Sequence, residues 1–338
     1  MTMALMLRAA DAGAVDEARL LGSIAVRRGP ISDIAVDDAR IVATNSGDES
    51  VAVLNARTLQ VEADVRVAGE PFAVTTVGGR AFVAASAATH DSVSAIDTRA
   101  EAFLASLPLD LDVVSVAAGH DGRQLFVSGT GLDAADLAII DVESGRVDTV
   151  AVADSESIVG AVRVASNGRV VYVATSDSEG GKLTVVDVAN ARIVGVVPTL
   201  SPIQDFALSD DGSVVYVLGR DPEDGGVVDT IDTARKRVLA SASIGGHPTQ
   251  FELGGDGSRI YIVDVDHVAV LCTITNEIVD DIDVGAHASC VATSRDGGRL
   301  YVADYSGVVT AFAVPIPASF DDGIDAQTIG ARELEPAV

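Results

Sequence analysis

A short motif that recurs at nearly constant spacing restricts the folds open to this chain. In residues 208–217, Leu is followed by Ser-Asp-Asp-Gly-Ser and then by Val-Val-Tyr-Val. Asp-Gly and Asn-Gly pairs supply the positive φ angles of a tight hairpin turn, and the aromatic and β-branched residues after them favour a strand. The last residue of the apolar pair in each copy serves as a marker, which gives Val42, Val83, Val127, Val173, Val217, Ile262 and Val302.

The markers are 41, 44, 46, 44, 45 and 40 residues apart. A period of roughly 40–50 residues indicates a propeller or a solenoid. Six four-strand repeats start near residues 28, 70, 112, 157, 202 and 247. A seventh repeat supplies three strands and then reaches Pro315-Ile316-Pro317, where a fourth cannot form because proline has no N–H for the ladder.

The pattern of residues 18–26 predicts one strand that is not preceded by the three other strands of a blade. If this strand completes the last blade, the two ends of the chain meet and a ring closes. An open solenoid would need polar caps at both ends, and the sequence shows none. We therefore predict an all-β, seven-bladed β-propeller of four-stranded antiparallel blades, with a flexible lead-in at 1–17, the propeller at 18–314 and an acidic C-terminal tail at 315–338.

The third strand of many repeats ends in an aspartate that we expect to form a turn. An apolar fourth strand begins six residues later in each case. The side chain is predicted to accept backbone N–H groups of that turn. The aspartates are Asp97, Asp141, Asp187 and Asp232, with Asn55 and Cys272 at the matching places.

The charge balance excludes some classes of partner. The chain has 23 Lys and Arg against 50 Asp and Glu, a net charge of −27. Such a chain repels nucleic acid and anionic membrane, so we expect neither nucleic-acid binding nor direct membrane insertion. The apolar run Met3–Leu7 is too short for a signal-peptide core or a membrane span, which predicts a cytoplasmic protein. We further predict a monomer without a cofactor.

The predicted fold sorts the charges onto two faces. The turns after strands one and three lie on one side of the disc, here the turn face, and the loops after strands two and four lie on the other, here the loop face. Arginines spread among the turn aspartates make the turn face mixed in sign, whereas the loop face is predicted to be strongly negative. Its candidate partner-binding residues are Asp48, Glu49, Asp133, Asp136, Asp177, Glu179, Asp221, Glu223, Asp224, Asp264 and Asp266.

Two interpretations of the loop face remain open. It is a docking surface for a basic segment of a protein partner, with long-range attraction raising the association rate. Alternatively, the acidic loops only keep a large β protein soluble and its strand edges unpaired.

Four residues precede the innermost strands and are expected around the channel mouth on the loop face: Glu70, Asp112, His247 and His287. Two histidines and two carboxylates can ligate a divalent metal or hold a water for lactone hydrolysis. Exposed polar loops explain the same residues, and the width of a seven-bladed mouth argues against all four meeting one ion. We predict no metal and no catalytic residue, with a lactonase-type or metal-dependent hydrolase as the alternative.

The innermost strands also carry polar residues, namely Arg163, Asp205, Gln250 and Glu252. An arginine in the fourth blade is within reach of a carboxylate across the channel, and a structural pair lining a wet channel is the favoured interpretation. Cys290 lies in another innermost strand and is expected to behave as a small buried hydrophobe.

The Tyr-Val pattern with Asp-Gly turns and third-strand aspartates resembles the YVTN-repeat β-propeller family over residues 18–314. The Arg-rich acidic composition is most similar to mycobacterial cytosolic members, one of which is associated with the inner-membrane complex that exports trehalose monomycolate. This resemblance implies an accessory protein, peripheral to the inner membrane through a partner, that acts as a non-enzymatic scaffold in mycolate-lipid transport.

Overall fold

The computed structural model describes residues 17–26, 29–37, 39–199, 201–221, 225–285 and 287–315. These ranges contain 28 strands in seven four-stranded antiparallel sheets, so the predicted seven-bladed propeller is confirmed. Apart from Glu17 and Pro315, the predicted lead-in and tail lie outside the described residues.

Each blade runs outward from its first strand in chain order. Blade 1 comprises β2 (Ile31–Val36), β3 (Arg40–Asn45), β4 (Ser50–Asn55) and β5 (Val61–Arg66). Blade 2 comprises β6 (Glu70–Val77), β7 (Arg80–Ser86), β8 (Ser92–Asp97) and β9 (Ala102–Pro108). Blade 3 comprises β10 (Asp112–Ala118), β11 (Gln124–Thr130), β12 (Ala134–Asp141) and β13 (Val147–Asp154).

The same order holds in the next three blades. Blade 4 comprises β14 (Ile158–Val164), β15 (Val170–Asp177), β16 (Gly180–Asp187) and β17 (Arg192–Pro198). Blade 5 comprises β18 (Ile203–Leu208), β19 (Val214–Asp221), β20 (Gly225–Asp232) and β21 (Arg237–Gly245). Blade 6 comprises β22 (Gln250–Leu253), β23 (Arg259–Asp264), β24 (His267–Cys272) and β25 (Glu277–Asp283).

Blade 7 joins the two ends of the chain. It comprises β26 (Ala288–Thr293), β27 (Arg299–Asp304) and β28 (Val308–Ala313), with β1 (Arg19–Ala25) as its outermost strand. β1 pairs antiparallel with β28, and Val26 N–H donates to Gly307 O at 2.8 Å just beyond the ladder. The predicted closure by the N-terminal strand is therefore confirmed.

Seven apolar clusters in the described residues lie one at each boundary between blades, and they explain the repeated aromatic-valine pair. Successive side chains of a strand point to opposite faces of the sheet. In blade 4, Tyr172 packs toward blade 5, and Val173 packs toward blade 3. Burial of such side chains contributes about 1.5–3 kcal/mol each, so the pair holds its blade on both sides.

The marker predicted for blade 1 is wrong by one residue. In blades 2–7 the marker side chain packs toward the preceding blade, but Val42 packs toward blade 2. Ala43, which pairs with Ile34, takes the marker position and lies in the boundary with blade 7. Ile41-Val42 are both aliphatic, so the sequence offered no aromatic residue to fix the register.

The predicted turn role of the third-strand aspartates is confirmed. Asp97 Oδ1 accepts the N–H groups of Arg99 and Ala100 at 2.9 and 2.8 Å. These backbone donors hold the pKa of Asp97 below its ordinary value. In blade 6, Cys272 occupies the same position, and bonds from Thr275 and the neighbouring backbone lower the pKa of its thiol although burial opposes this.

Polar side chains on four innermost strands tie one blade to the next. Each accepts the backbone N–H of a residue on the innermost strand of the following blade. No hydrogen bond within its own sheet satisfies that N–H group. Because buried N–H groups need an acceptor, these bonds hold adjacent blades at the channel wall. The pairs are Asp33–Val74 at 2.8 Å, Ser115–Val162 at 3.4 Å, Asp205–Phe251 at 3.5 Å and Gln250–Val291 at 3.1 Å.

Candidate functional site

The acidic residues predicted for the loop face lie around the connections between second and third strands of five blades. Asp48 and Glu49 follow β3, Asp133 and Asp136 lie after β11, Asp177 and Glu179 after β15, Asp221 ends β19, and Asp264 and Asp266 lie at the β23–β24 turn. Glu223 and Asp224 are outside the described residues. Asp48, Glu49, Asp133, Glu179 and Asp266 are exposed, so their carboxylates are accessible to a partner.

Asp264 is a correction to the predicted surface. Its side chain is buried, with 6% exposure, and both carboxylate oxygens accept the backbone N–H of His247, at 3.1 and 3.2 Å. It therefore supports the loop before blade 6 and cannot contact a partner. Asp264 lies in the turn that the sequence predicted, but its carboxylate points inward because the loop that enters the same blade supplies the N–H of His247.

Two other acids of this set are engaged within the face. Asp177 Oδ2 forms a 2.6 Å ion pair with Lys182 Nζ, and this bond and the N–H of Glu179 lower the pKa of Asp177. Burial, reinforced by the nearby charge of Asp133, raises the pKa of Asp136. The accessible negative charge thus comes mainly from the loop tips.

Apolar side chains are also exposed on the loop face, and the sequence analysis missed them. Leu132 is 98% exposed beside Asp133, and Ile158 is 75% exposed at the start of β14. Tyr305 and Val265 are 54% and 50% exposed in the turns of blades 7 and 6. The sequence signal that could have identified them is their position in loops that also carry acids. A large apolar side chain at a loop tip is not buried by folding of the chain itself, so its presence there indicates a contact surface.

The four residues predicted at the channel mouth are exposed but do not form a metal site. Glu70 and Asp112 begin β6 and β10, and His287 precedes β26. His247 Nδ1 lies 2.6 Å from Arg220 Nη2. In the part of the chain that the structure describes, no three His, Cys, Asp or Glu side chains are arranged to hold a metal ion.

The channel itself contains the predicted ion pair. Arg163 Nη2 lies 2.8 Å from Asp205 Oδ1, so the arginine contacts the adjacent blade and not the opposite wall. Its guanidinium also lies 5.8 Å from the centre of the Phe206 ring, a cation–π distance. Cys290 is fully buried at the boundary between blades 7 and 1, as the sequence predicts.

Two further carboxylates share the channel with this pair. Burial raises the pKa of Glu252 to about 7, although the charge of Arg163 opposes the shift. Burial likewise raises the pKa of Asp33 to about 7 against the N–H bond from Val74. Asp33, on the innermost strand of blade 1, was not among the predicted channel residues.

The repeats and this architecture define a seven-bladed β-propeller protein. The chain is 33% identical over 138 residues to the seven-bladed β-propeller protein Rv1057 of Mycobacterium tuberculosis, a match covering 39% of this chain and 35% of that protein. It is 48% identical over 64 residues to a seven-bladed β-propeller protein of Mycolicibacterium smegmatis, covering 18% and 17% of the two chains. The matches thus span about a third or less of each relative.

Solved structures show the same fold. A chain of Kuenenia stuttgartiensis hydrazine synthase superposes with a TM-score of 0.76 at 19% identity, covering 87% of this chain and 98% of that chain. The β-propeller domain of Cps50 (Swd1) from Myceliophteria thermophila superposes with a TM-score of 0.74 at 11% identity, covering 88% and 100%. No family model matches the chain. No helix in the described ranges is long and apolar enough to cross a membrane.

Proposed function

We propose that this protein is a non-enzymatic interaction scaffold that binds a basic segment of a protein partner through its loop face. The observation that carries the proposal is the combination of accessible carboxylates and exposed apolar side chains on the same set of loops. Charge attracts and orients a partner, whereas apolar side chains such as Leu132 supply contact area on docking. Solubility alone explains the carboxylates but not Leu132 and Ile158.

The resemblance to mycobacterial propellers suggests the kind of partner. In this proposal the partner is an inner-membrane complex of mycolate-lipid (trehalose monomycolate) transport, and the protein is a cytoplasmic, monomeric accessory held at the membrane by cytosolic basic segments of that complex. The two mycobacterial relatives are described as seven-bladed β-propeller proteins, so the support for this partner is the resemblance.

The hydrolase alternative depends on the four channel-mouth residues, which are not brought together in the described part of the chain. His247 contacts Arg220, and its backbone is held by Asp264. Glu70, Asp112 and His287 are not gathered with it into a ligand set. A scaffold role uses the exposed loops as they stand.

The test is comparative capture from a lysate of the source organism at about 50 and 300 mM NaCl, with partners quantified by mass spectrometry. The test variant carries Asp133→Lys, Glu179→Lys and Asp266→Lys on the loop face. The matched control carries Glu143→Lys, Asp210→Lys and Glu277→Lys, which change the net charge equally at exposed positions of the turn face and its edge.

We expect a membrane-protein partner that is retained by the control, lost by the loop-face variant and weakened at the higher salt. Leu132→Ser should also weaken its retention. The proposal is overturned if no protein is captured, or if both triple variants lose the same partner equally, because the response then reflects net charge and not a face.

A further inference from the structure

The opposite mouth of the channel, on the turn face, opens into a cavity of about 740 Å³. It is lined by the first turns of blades 1, 2, 3, 6 and 7, and Glu252 forms part of its floor. A second cavity of about 460 Å³ shares Asp37 and Arg295 with it and extends between blades 7 and 1. Small-ligand sites in proteins commonly measure about 300–1,000 Å³, so the main cavity has a suitable size.

Arginines outnumber acids in the wall of this cavity, four against Asp37, Asp121 and Glu252, and Arg40 also pairs with Glu62 at 3.0 Å. Four arginines line it, Arg40, Arg80, Arg99 and Arg295. Arg80 and Arg99 are exposed, and after the backbone N–H groups of its turn their charges also help to lower the pKa of Asp97 at the end of β8. Gly79 leaves room for Arg99 across its turn, since a Cβ there would lie 2.8 Å from Arg99 Nε.

The acids in the wall are already used by their own turns. Asp37 Oδ1 accepts the N–H groups of Ala39 and Arg40 at 3.0 and 2.9 Å. Asp121 Oδ1 accepts the N–H of Arg123 at 3.0 Å. These bonds occupy one carboxylate oxygen of each acid, whereas the guanidinium groups of Arg80 and Arg99 are exposed donors.

We propose that this cavity binds a small multivalent oxyanion, either a phosphate ester or a polycarboxylate. A guanidinium group donates two parallel N–H hydrogen bonds, and their geometry matches the oxygens of a phosphate or of a carboxylate. Donors from several blades around one opening favour a ligand with more than one anionic group. The site is separate from the loop face, so its failure would leave the proposed scaffold role unaffected.

The test is isothermal titration calorimetry with two probes, inorganic pyrophosphate and citrate, at pH 8 and about 0.1 M NaCl. At that salt the Debye length is about 10 Å, which screens the distant acids of this chain but not contacts inside the cavity. Preference for pyrophosphate identifies phosphate chemistry, and preference for citrate identifies carboxylate chemistry.

The variants Arg80→Gln and Arg99→Gln should each weaken binding about tenfold or more, the loss expected for one charge-assisted hydrogen bond. Arg169→Gln is the matched control, because Arg169 is an exposed arginine of the equivalent turn in blade 4 outside the cavity. Glu252→Gln should tighten binding, since it removes a carboxylate from the cavity floor.

Saturable one-to-one binding of either probe, lost in Arg80→Gln or Arg99→Gln and retained in Arg169→Gln, supports the site. Two results overturn it. One is the absence of saturable binding of both probes to the wild-type protein. The other is equal weakening by Arg169→Gln, which would indicate general attraction to surface arginines.

Discussion

Arg163 of blade 4 and Asp205 of blade 5 form an ion pair of 2.8 Å across a blade boundary inside the channel. Asp205 also accepts the N–H groups of Phe206 and Phe251, so one carboxylate connects blades 4, 5 and 6. The arginine thus neutralises a buried charge at a junction of three blades.

Arg163→Met should destabilise the protein by about 3 kcal/mol, the low end for removing one partner of a buried pair, because Arg163 keeps a third of its side chain exposed. Urea unfolding at pH 7 measures this loss. Arg146→Met is the control: its 2.9 Å pair with Asp148 is exposed, and its loss should cost less than about 1 kcal/mol. Equal losses in the two variants would contradict the role assigned to Arg163.

The stability should fall as the pH rises from about 4 to about 7. Burial raises the pKa of Asp33 and of Glu252 to about 7 in the folded state, whereas both groups are ionised in the unfolded chain above pH 4–5. The folded protein therefore holds protons that the unfolded chain has released, and this stabilisation, complete at low pH, is lost as the pH rises through the folded pKa.

Urea unfolding at pH 5 and pH 8 measures this pH dependence. Glu252→Gln should reduce the difference between the two free energies of unfolding and stabilise the protein at pH 8. Glu143→Gln, at an exposed turn, should leave the difference unchanged. In turn acids such as Asp211 the shift is opposite, because hydrogen bonds from Ser213 lower the pKa to about 2. The stability that these acids contribute is lost only below about pH 4.

Cys272→Asp should stabilise the protein by about 0.5–1 kcal/mol, as repairs of local turn chemistry commonly do. The new carboxylate would accept the turn N–H groups that aspartates accept in other blades, and Arg259 lies directly opposite in the ladder. Thermal unfolding measures the gain, with the reciprocal Asp187→Cys as a comparison that should lose stability. A stabilising Asp187→Cys would show that the carboxylate is not the relevant group.

Removing residues 1–26 should abolish cooperative unfolding, because β28 would lose its outer neighbour, and Ile24 and Val26 would leave the boundary cluster with blade 1. Circular dichroism during heating tests this. A peptide of residues 17–26 added in excess should restore the transition, and the same peptide with Ile24→Asp should not. An unaltered transition in the truncated protein would show that β1 does not close the ring.

The fold was predictable because most blades repeat the same local chemistry. Asp-Gly turns, alternating aromatic and aliphatic residues and a turn aspartate each act within a few residues, so the sequence reports them directly. Ala43 shows the limit: without an aromatic residue in blade 1, nothing local distinguished one register from the next.

The candidate surfaces were less predictable because they depend on contacts between blades. The loop that contains Asp264 was identified, but the carboxylate turns inward to His247, a contact set by the loop entering the same blade. Arg163 was identified with a carboxylate partner, but the partner lies on the adjacent blade. The arginine-lined cavity arises only where the turns of several blades meet.

The placement of β1 in the last blade has a consequence for synthesis on the ribosome. β1 ends at Ala25, and its partner β28 starts at Val308, so the two pairing segments are separated by about 280 residues of chain. At roughly 5–20 residues per second, the first strand waits about 15–60 s before its partner exists. Leu20 and Leu21 stay without a neighbouring strand for that time, so β1 is exposed to aggregation in the newly made chain until β28 has been synthesised.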